Sequence, residues 1–191
     1  MATALQPAQV TQNLPTLETE HLKLRKITIG DVGAIHEYAS DPEVTSRTTW
    51  DAHRSIDDTR QYVNTLLQRQ DLGLAAAWAI TEKGGDGRLI GECGFRSISP
   101  ENGRAEIVFI LNRKFWGKGY MSEATHAVLK CAYGPMGLNR VEALVDGEDL
   151  ATMRVLKRNE MRLEGTMRQA VRVRGAYRDA KLFAGLRSEF H

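Results

Sequence analysis

The period of the hydrophobic positions changes several times along the 191-residue chain, and each change marks an element. Residues 1–16 are polar, interrupted by Pro7 and Pro15 and without period, which predicts a flexible tail. His21-Leu22-Lys23-Leu24-Arg25-Lys26-Ile27 alternates polar and apolar, as a half-buried strand does. Thr28 or Asp31 can cap a helix to about Ser40, with Val32, Ile35 and Tyr38/Ala39 on one face, and Asp41-Pro42 stops it. Ser55 to Gln70 is a second amphipathic helix, with Ser55 as its cap and Asp58 three residues on. The period then shifts to strands at Ala75–Thr81, Arg88–Ser97 and Arg104–Asn112. Short turns at Lys83–Gly87 and Pro100–Gly103 make these three an antiparallel meander. A helix to Tyr133 ends at Gly134-Pro135. A strand at Arg140–Val145, a helix at Asp149–Asn159 and strands at Arg162–Val173 and Tyr177–Leu186 complete the order β-α-α-β-β-β-α-β-α-β-β.

Composition narrows the class. The chain is 42% hydrophobic and 26% charged, enough to bury a single-domain core without disulfides. Cys93 and Cys131 form no metal-ligand pair and suit a reducing, cytoplasmic setting; no metal is expected. No apolar run approaches a membrane span, and the N-terminus lacks the basic and apolar blocks of a secretory signal. The net charge of +2 decides little, but residues 154–178 hold eight arginines and lysines against two glutamates. That excess either solvates strand edges or attracts an anionic partner; interleaved aromatics are too few for a nucleic-acid-binding module.

The most telling segment joins the third meander strand to the next helix: Lys114-Phe115-Trp116-Gly117-Lys118-Gly119-Tyr120-Met121-Ser122-Glu123-Ala124. A strand entering a glycine turn that opens a helix presents backbone N–H groups and a positive dipole end, a seat for phosphate. A Walker loop would need glycine at Asn112 and Ser or Thr at Gly119; a dinucleotide fingerprint would need glycine at Ser122. Both fail.

The same block resembles the acetyl-CoA pyrophosphate loop of the GNAT superfamily of N-acetyltransferases, above all its RimJ/RimL-like branch of ribosomal-protein N-terminal acetyltransferases. Companion segments stand in the matching order: Leu22-Lys23-Leu24-Arg25, Ile90-Gly91-Glu92-Cys93-Gly94-Phe95, Ala105-Glu106-Ile107-Val108-Phe109-Ile110-Leu111, Asn139-Arg140-Val141-Glu142-Ala143 and Glu164-Gly165-Thr166-Met167-Arg168. The resemblance spans Leu17 to Phe190. It implies an α+β, three-layer fold: a mixed, mostly antiparallel seven-stranded sheet with about four helices, in one domain over residues 17–191. It also implies acetyl-CoA as cosubstrate, with amides from Trp116 to Met121 at the diphosphate and Gly117 and Gly119 letting the backbone approach. Lys114 and Lys118 can add charge there or stay solvated. Phe109, Ile110 and Leu111 would line the pantetheine arm, and Phe115 and Trp116 would pack on the sheet.

Two positions depart from the family pattern. Asp149-Leu150-Ala151-Thr152 replaces an Asn-x-x-Ser pair, and Glu160-Met161 replaces Gly-Phe. Asp149 would touch pantetheine or simply cap its helix, while Thr152 could protonate the departing thiolate. The implied reaction is direct attack of a primary amine on a thioester, which needs a base and an oxyanion donor. Glu106 is the first expectation for the base, Glu92 the second, and a backbone N–H near Ile110 the donor. His36, His53 and His126 suggest no triad, and both cysteines read as core. The acceptor is expected to be a protein N-terminus, with ribosomal protein as the branch-level expectation; a polyamine, aminoglycoside or amino acid is the alternative. Arg47, Trp50, Asp51, His53 and Arg54 would shape its site. A non-catalytic acyl-CoA sensor is the reading of another class, and the branch also suggests a homodimer.

Overall fold

The computed structural model describes residues 7–46 and 48–191. Chain order is α1 (Pro7–Gln12), β1 (Leu17–Glu18), β2 (Leu22–Lys26), α2 (Val32–Ala39), α3 (Pro42–Thr45), α4 (Ile56–Asp71), β3 (Ala76–Glu82), β4 (Gly91–Ser99), β5 (Arg104–Leu111), α5 (Tyr120–Tyr133), β6 (Arg140–Asp146), α6 (Leu150–Arg158), β7 (Arg162–Val173) and β8 (Ala176–Leu186). The strands form one mixed sheet in the order β1-β2-β3-β4-β5-β6-β8-β7, antiparallel except where β5 meets β6. The expected meander is β3-β4-β5.

Side-chain alternation sorts the core into two layers, one on each face. From β3, Trp78 and Ile80 join Phe95, Val128, Leu129, Leu156 and Phe183 on the α5 face, while Ala77 and Ala79 join Ile35, Tyr38 and Val63 on the α2–α4 face. Trp78 is fully buried edge-on to Phe95, a burial worth roughly 1.5–3 kcal/mol. Cys93 and Cys131 are free and lie in the first layer. Capping follows the sequence: the Ser55 side chain accepts from Asp58 N–H, and Asp58 returns a bond to Ser55 N–H.

Three features differ from the sequence expectation. An eighth strand, the two-residue β1, pairs with β2 through Leu17↔Leu24. The expected tail contains α1, whose Val10 is buried in the core, and Pro15 beyond it accepts a hydrogen bond from Trp78 Nε1 at 2.8 Å. Fewer than two turns are too short to show a period, so tertiary burial decides this helix. Asp41-Pro42 ends α2 as expected but also starts α3: Asp41 accepts from Glu43 N–H, with Pro42 in the first turn.

Candidate active site

β5 and β6 pair only at Arg104↔Arg140, Ala105↔Val141 and Glu106↔Glu142. β5 then runs on to Leu111 and β6 to Asp146 without pairing to each other, so the sheet opens into a gap. A bulge in β4 between Phe95 and Ser97 lies beside the point of divergence, where the added twist turns β5 away. Asn112 N–H donates to Ile90 O, so Val108 and Ile110 turn their backbone groups to β4 and Phe109 and Leu111 turn theirs to the gap. Around Ile110, where a backbone N–H donor is expected, the gap-facing N–H groups are those of Phe109 and Leu111. Gly91 lets this end of β5 come close, since a Cβ there would lie 2.5 Å from Ile110 O and 3.0 Å from Leu111 Cα.

The glycine turn closes the head of the gap. Asn112 caps a single turn at Arg113–Phe115, and Trp116 Nε1 donates to the gap-facing Leu111 O at 2.9 Å. Gly117 and Gly119 have φ of 79° and 82°, the left-handed region that costs other residues strain, and a Cβ on either would meet open space. Gly119 is the N-cap of α5, so the first-turn amides at Tyr120, Met121 and Ser122 have no intrahelical acceptor. Among the basic residues, Lys114 binds Glu37 and Arg113 binds Asp41 and Glu43, which staples the loop to α2 and α3. The Lys114 ammonium is thus engaged by Glu37 of α2. Lys118 stays over the Phe115 and Tyr120 rings, 3.5 Å from Glu82. Tyr120 donates its hydroxyl to Glu82 at 2.8 Å, and Met121 is core. Phe115 packs against the core as expected, whereas Trp116 is 45% exposed.

The opposite wall is the turn from β6 into α6. Asp149 accepts from Thr152 N–H at 3.0 Å, the bond of a helix cap. Thr152 lies one turn into α6, partly buried. Glu160 has φ of 61°, left-handed backbone at the place where the family pattern has glycine. Buried Asn159, which sequence reasoning missed, donates to Ser122 O at 3.2 Å and so ties the end of α6 to the first turn of α5.

On the α2–α4 face the two candidate bases have different surroundings. Glu106 is held by Arg96 Nε at 2.8 Å. Glu92 is buried beside Ile110 and accepts the Tyr62 hydroxyl at 2.5 Å, while among the described residues its Oε2 and the nearby Tyr38 hydroxyl have no hydrogen-bond partner. Burial pushes the Glu92 carboxyl up to about 7, against the lowering effect of the Tyr62 and Tyr38 hydroxyls. Tyr62 contacts the His53 ring, which contacts Trp50, with centroids 5.8 and 5.2 Å apart. Thr59 Oγ1 joins His53 Nδ1 and His36 Nδ1, and burial lowers the His53 pKa. His36 therefore belongs to this cluster. Tyr38, Thr59 and Tyr62 lie on helix faces with ordinary core spacing, so no sequence signal marked them. Asp51 is exposed, Arg54 N–H donates to Asp58, and Arg47 lies outside the described residues. Arg174, at the β7–β8 tip, reaches Thr45 O of α3 at 3.2 Å. Burial pushes the Cys93 and Cys131 thiols up to about 12 and about 11, which leaves neither as a nucleophile at neutral pH.

Comparison with known proteins bears on this arrangement. Residues 21–162 match the family model described as the acetyltransferase (GNAT) domain. The chain is 34% identical over 177 residues to the uncharacterized N-acetyltransferase p20 of Bacillus licheniformis, covering 93% of this chain and 99% of that protein. It is 31% identical over 132 residues to the ribosomal-protein-serine acetyltransferase of Escherichia coli, covering 69% and 72%. Among solved structures it superposes with a TM-score of 0.82 on RimL, a ribosomal L7/L12 alpha-N-protein acetyltransferase in complex with coenzyme A. That match covers 90% of this chain and 98% of the other at 24% identity, a likeness of fold.

Proposed function

The chain belongs to the GNAT acetyltransferase family, and on that premise we propose that it transfers an acetyl group from acetyl-CoA to the α-amine of a protein N-terminus. The observation that carries the reading is the gap between β5 and β6, headed by the glycine turn and the free N-terminus of α5. The residues fit the cosubstrate: open space over Gly117 and Gly119 admits a diphosphate, and amides at a helix N-terminus suit its charge. When bound there, the thioester supplies an activated acetyl group.

The protein's own groups supply the rest. Phe109 and Leu111 offer strand-edge N–H and C=O groups to an extended amide-bearing arm, like an added strand. Their N–H groups are also the donors available to a developing oxyanion. Ile110, between them, turns its side chain to the α2–α4 layer. Thr152, at the far wall, is the hydroxyl available to the departing sulfur, while Asp149 caps α6. Lys118 and Tyr120 edge the phosphate seat.

The protein-terminal acceptor draws support from the Escherichia coli relative, whose name specifies a ribosomal-protein serine. The test is thiol release from acetyl-CoA against peptides with free N-termini, N-blocked lysine peptides, polyamines, aminoglycosides and amino acids. Turnover confined to free peptide N-termini is the expected result. Turnover only on small amines would replace the acceptor, and tight acetyl-CoA binding with no turnover on any amine would leave a sensor.

A further inference from the structure

Resting on that reading, we propose that Glu92, rather than Glu106, takes the proton from the acceptor amine, and that the Trp50–His53–Tyr62 wall is the acceptor's way in.

Position comes first. Glu92 pairs across the sheet with Ile110, the residue between the gap-facing amides of Phe109 and Leu111, and its side chain lies on the α2–α4 face. The gap thus lies on the far side of the neighbouring strand β5 from this carboxylate. Glu106 stands lower on β5, where the strands still pair, and Arg96 occupies its carboxylate. Availability comes second. Glu92 is 8% exposed and, among the described residues, has a buried oxygen without a partner, close to a Tyr38 hydroxyl that is likewise unpaired. An amine or a bridging water would satisfy such groups. Access comes third. Tyr62 grips Glu92 with its hydroxyl but is 37% exposed as a residue, and Trp50, at the outer end of the wall, is equally exposed. Aromatic rings suit a passing ammonium group.

Burial holds the Glu92 carboxyl at about 7, against the lowering effect of the Tyr62 and Tyr38 hydroxyls. From α2 and α4 it faces Tyr38 and Tyr62; His36 and His53 stand behind Tyr62, joined through Thr59. Asp31 is already paired with Arg25, and on β5 Glu106 with Arg96. A carboxylate near 7 lies within about one unit of a peptide α-amine, whose pKa is about 7.7–8.0, and over three below a lysyl amine at about 10.4. The match favours terminal α-amines. The step balances as follows. The α-ammonium gives one proton to Glu92, and the freed lone pair forms the C–N bond as the C–S bond breaks. The second nitrogen proton goes to the leaving thiolate, and Glu92 releases its proton to water.

The test is the pH profile of kcat/KM with a free-N-terminus peptide for the wild type, Glu92→Gln, Tyr62→Phe and Glu106→Gln, with acetyl-CoA affinity by calorimetry as the folding control. Glu92→Gln is expected to lose about 100-fold or more in kcat with acetyl-CoA affinity kept. Tyr62→Phe removes a bond that lowers the Glu92 pKa, so the acidic limb is expected to move to higher pH. A purely structural role would not move that limb. If Glu92→Gln fails to fold, the Tyr62→Phe shift decides. Wild-type kcat in Glu92→Gln, an unmoved limb in Tyr62→Phe, or an acidic limb lost only in Glu106→Gln each overturns the inference alone. A wild-type enzyme that binds acetyl-CoA and acetylates nothing overturns the reading beneath it as well.

Discussion

Replacing Gly119 with alanine separates the shape of the glycine turn from its stability. The residue has φ of 82° and ψ of −6°, and the left-handed region costs an L-residue about 1–2 kcal/mol. A Cβ there meets no protein atom within 4 Å, so no clash adds to this cost. For a chain of this length each kcal/mol moves Tm by about 2–4 °C, so a fall of roughly 2–8 °C is expected. Binding should suffer more. The new methyl group enters the open space that the α5 amides face, and loss of one or two charge-assisted hydrogen bonds costs about 1.5–3 kcal/mol each. That corresponds to acetyl-CoA affinity weakened about 10-fold or more. Calorimetric titration beside a thermal melt reads both quantities on one sample. A melt lowered as expected with acetyl-CoA affinity within about twofold of the wild type would refute the phosphate seat, since a bond worth over 1 kcal/mol cannot vanish unnoticed.

Other perturbations test the frame. Glu160→Gly removes left-handed strain at φ 61° and is expected to stabilise by about 1 kcal/mol, read as a higher urea midpoint; an unchanged or lower midpoint would count against strain there. Gly91→Ala drives a Cβ to within 2.5 Å of Ile110 O, so it should destabilise by more than about 2 kcal/mol and weaken acetyl-CoA binding as β5 shifts; a variant matching the wild type in both would sink the close-approach argument. The raised carboxyl of Glu92 makes stability depend on pH with a definite sign. Below about pH 4 the folded and unfolded states both hold the proton, but from there to about 7 the unfolded chain releases it first, so wild-type stability falls as pH rises and then levels. Glu92→Gln is therefore expected to exceed the wild type by about 3 kcal/mol near pH 8 and to equal it near pH 4; a variant less stable than the wild type at the higher pH would show that no such burial cost exists.

The elements themselves were readable because their causes are local. Alternation at Leu22–Lys26, the Ser55–Asp58 box, and the Gly117 and Gly119 turn each follow from periodicity, capping or φ within a few residues. The family was legible for the same reason, since the glycine turn that carries the resemblance is one continuous segment. Only the tertiary structure ended β5–β6 pairing at Glu106↔Glu142 and so opened the gap, because register between strands over 30 residues apart is set by packing and twist. It also drew Lys114 to Glu37, placed α1 on the core, and set Glu92 under Tyr62 and Tyr38 from two different helices. A carboxylate's basicity depends on what buries it and what bonds it, and those neighbours come from distant parts of the chain.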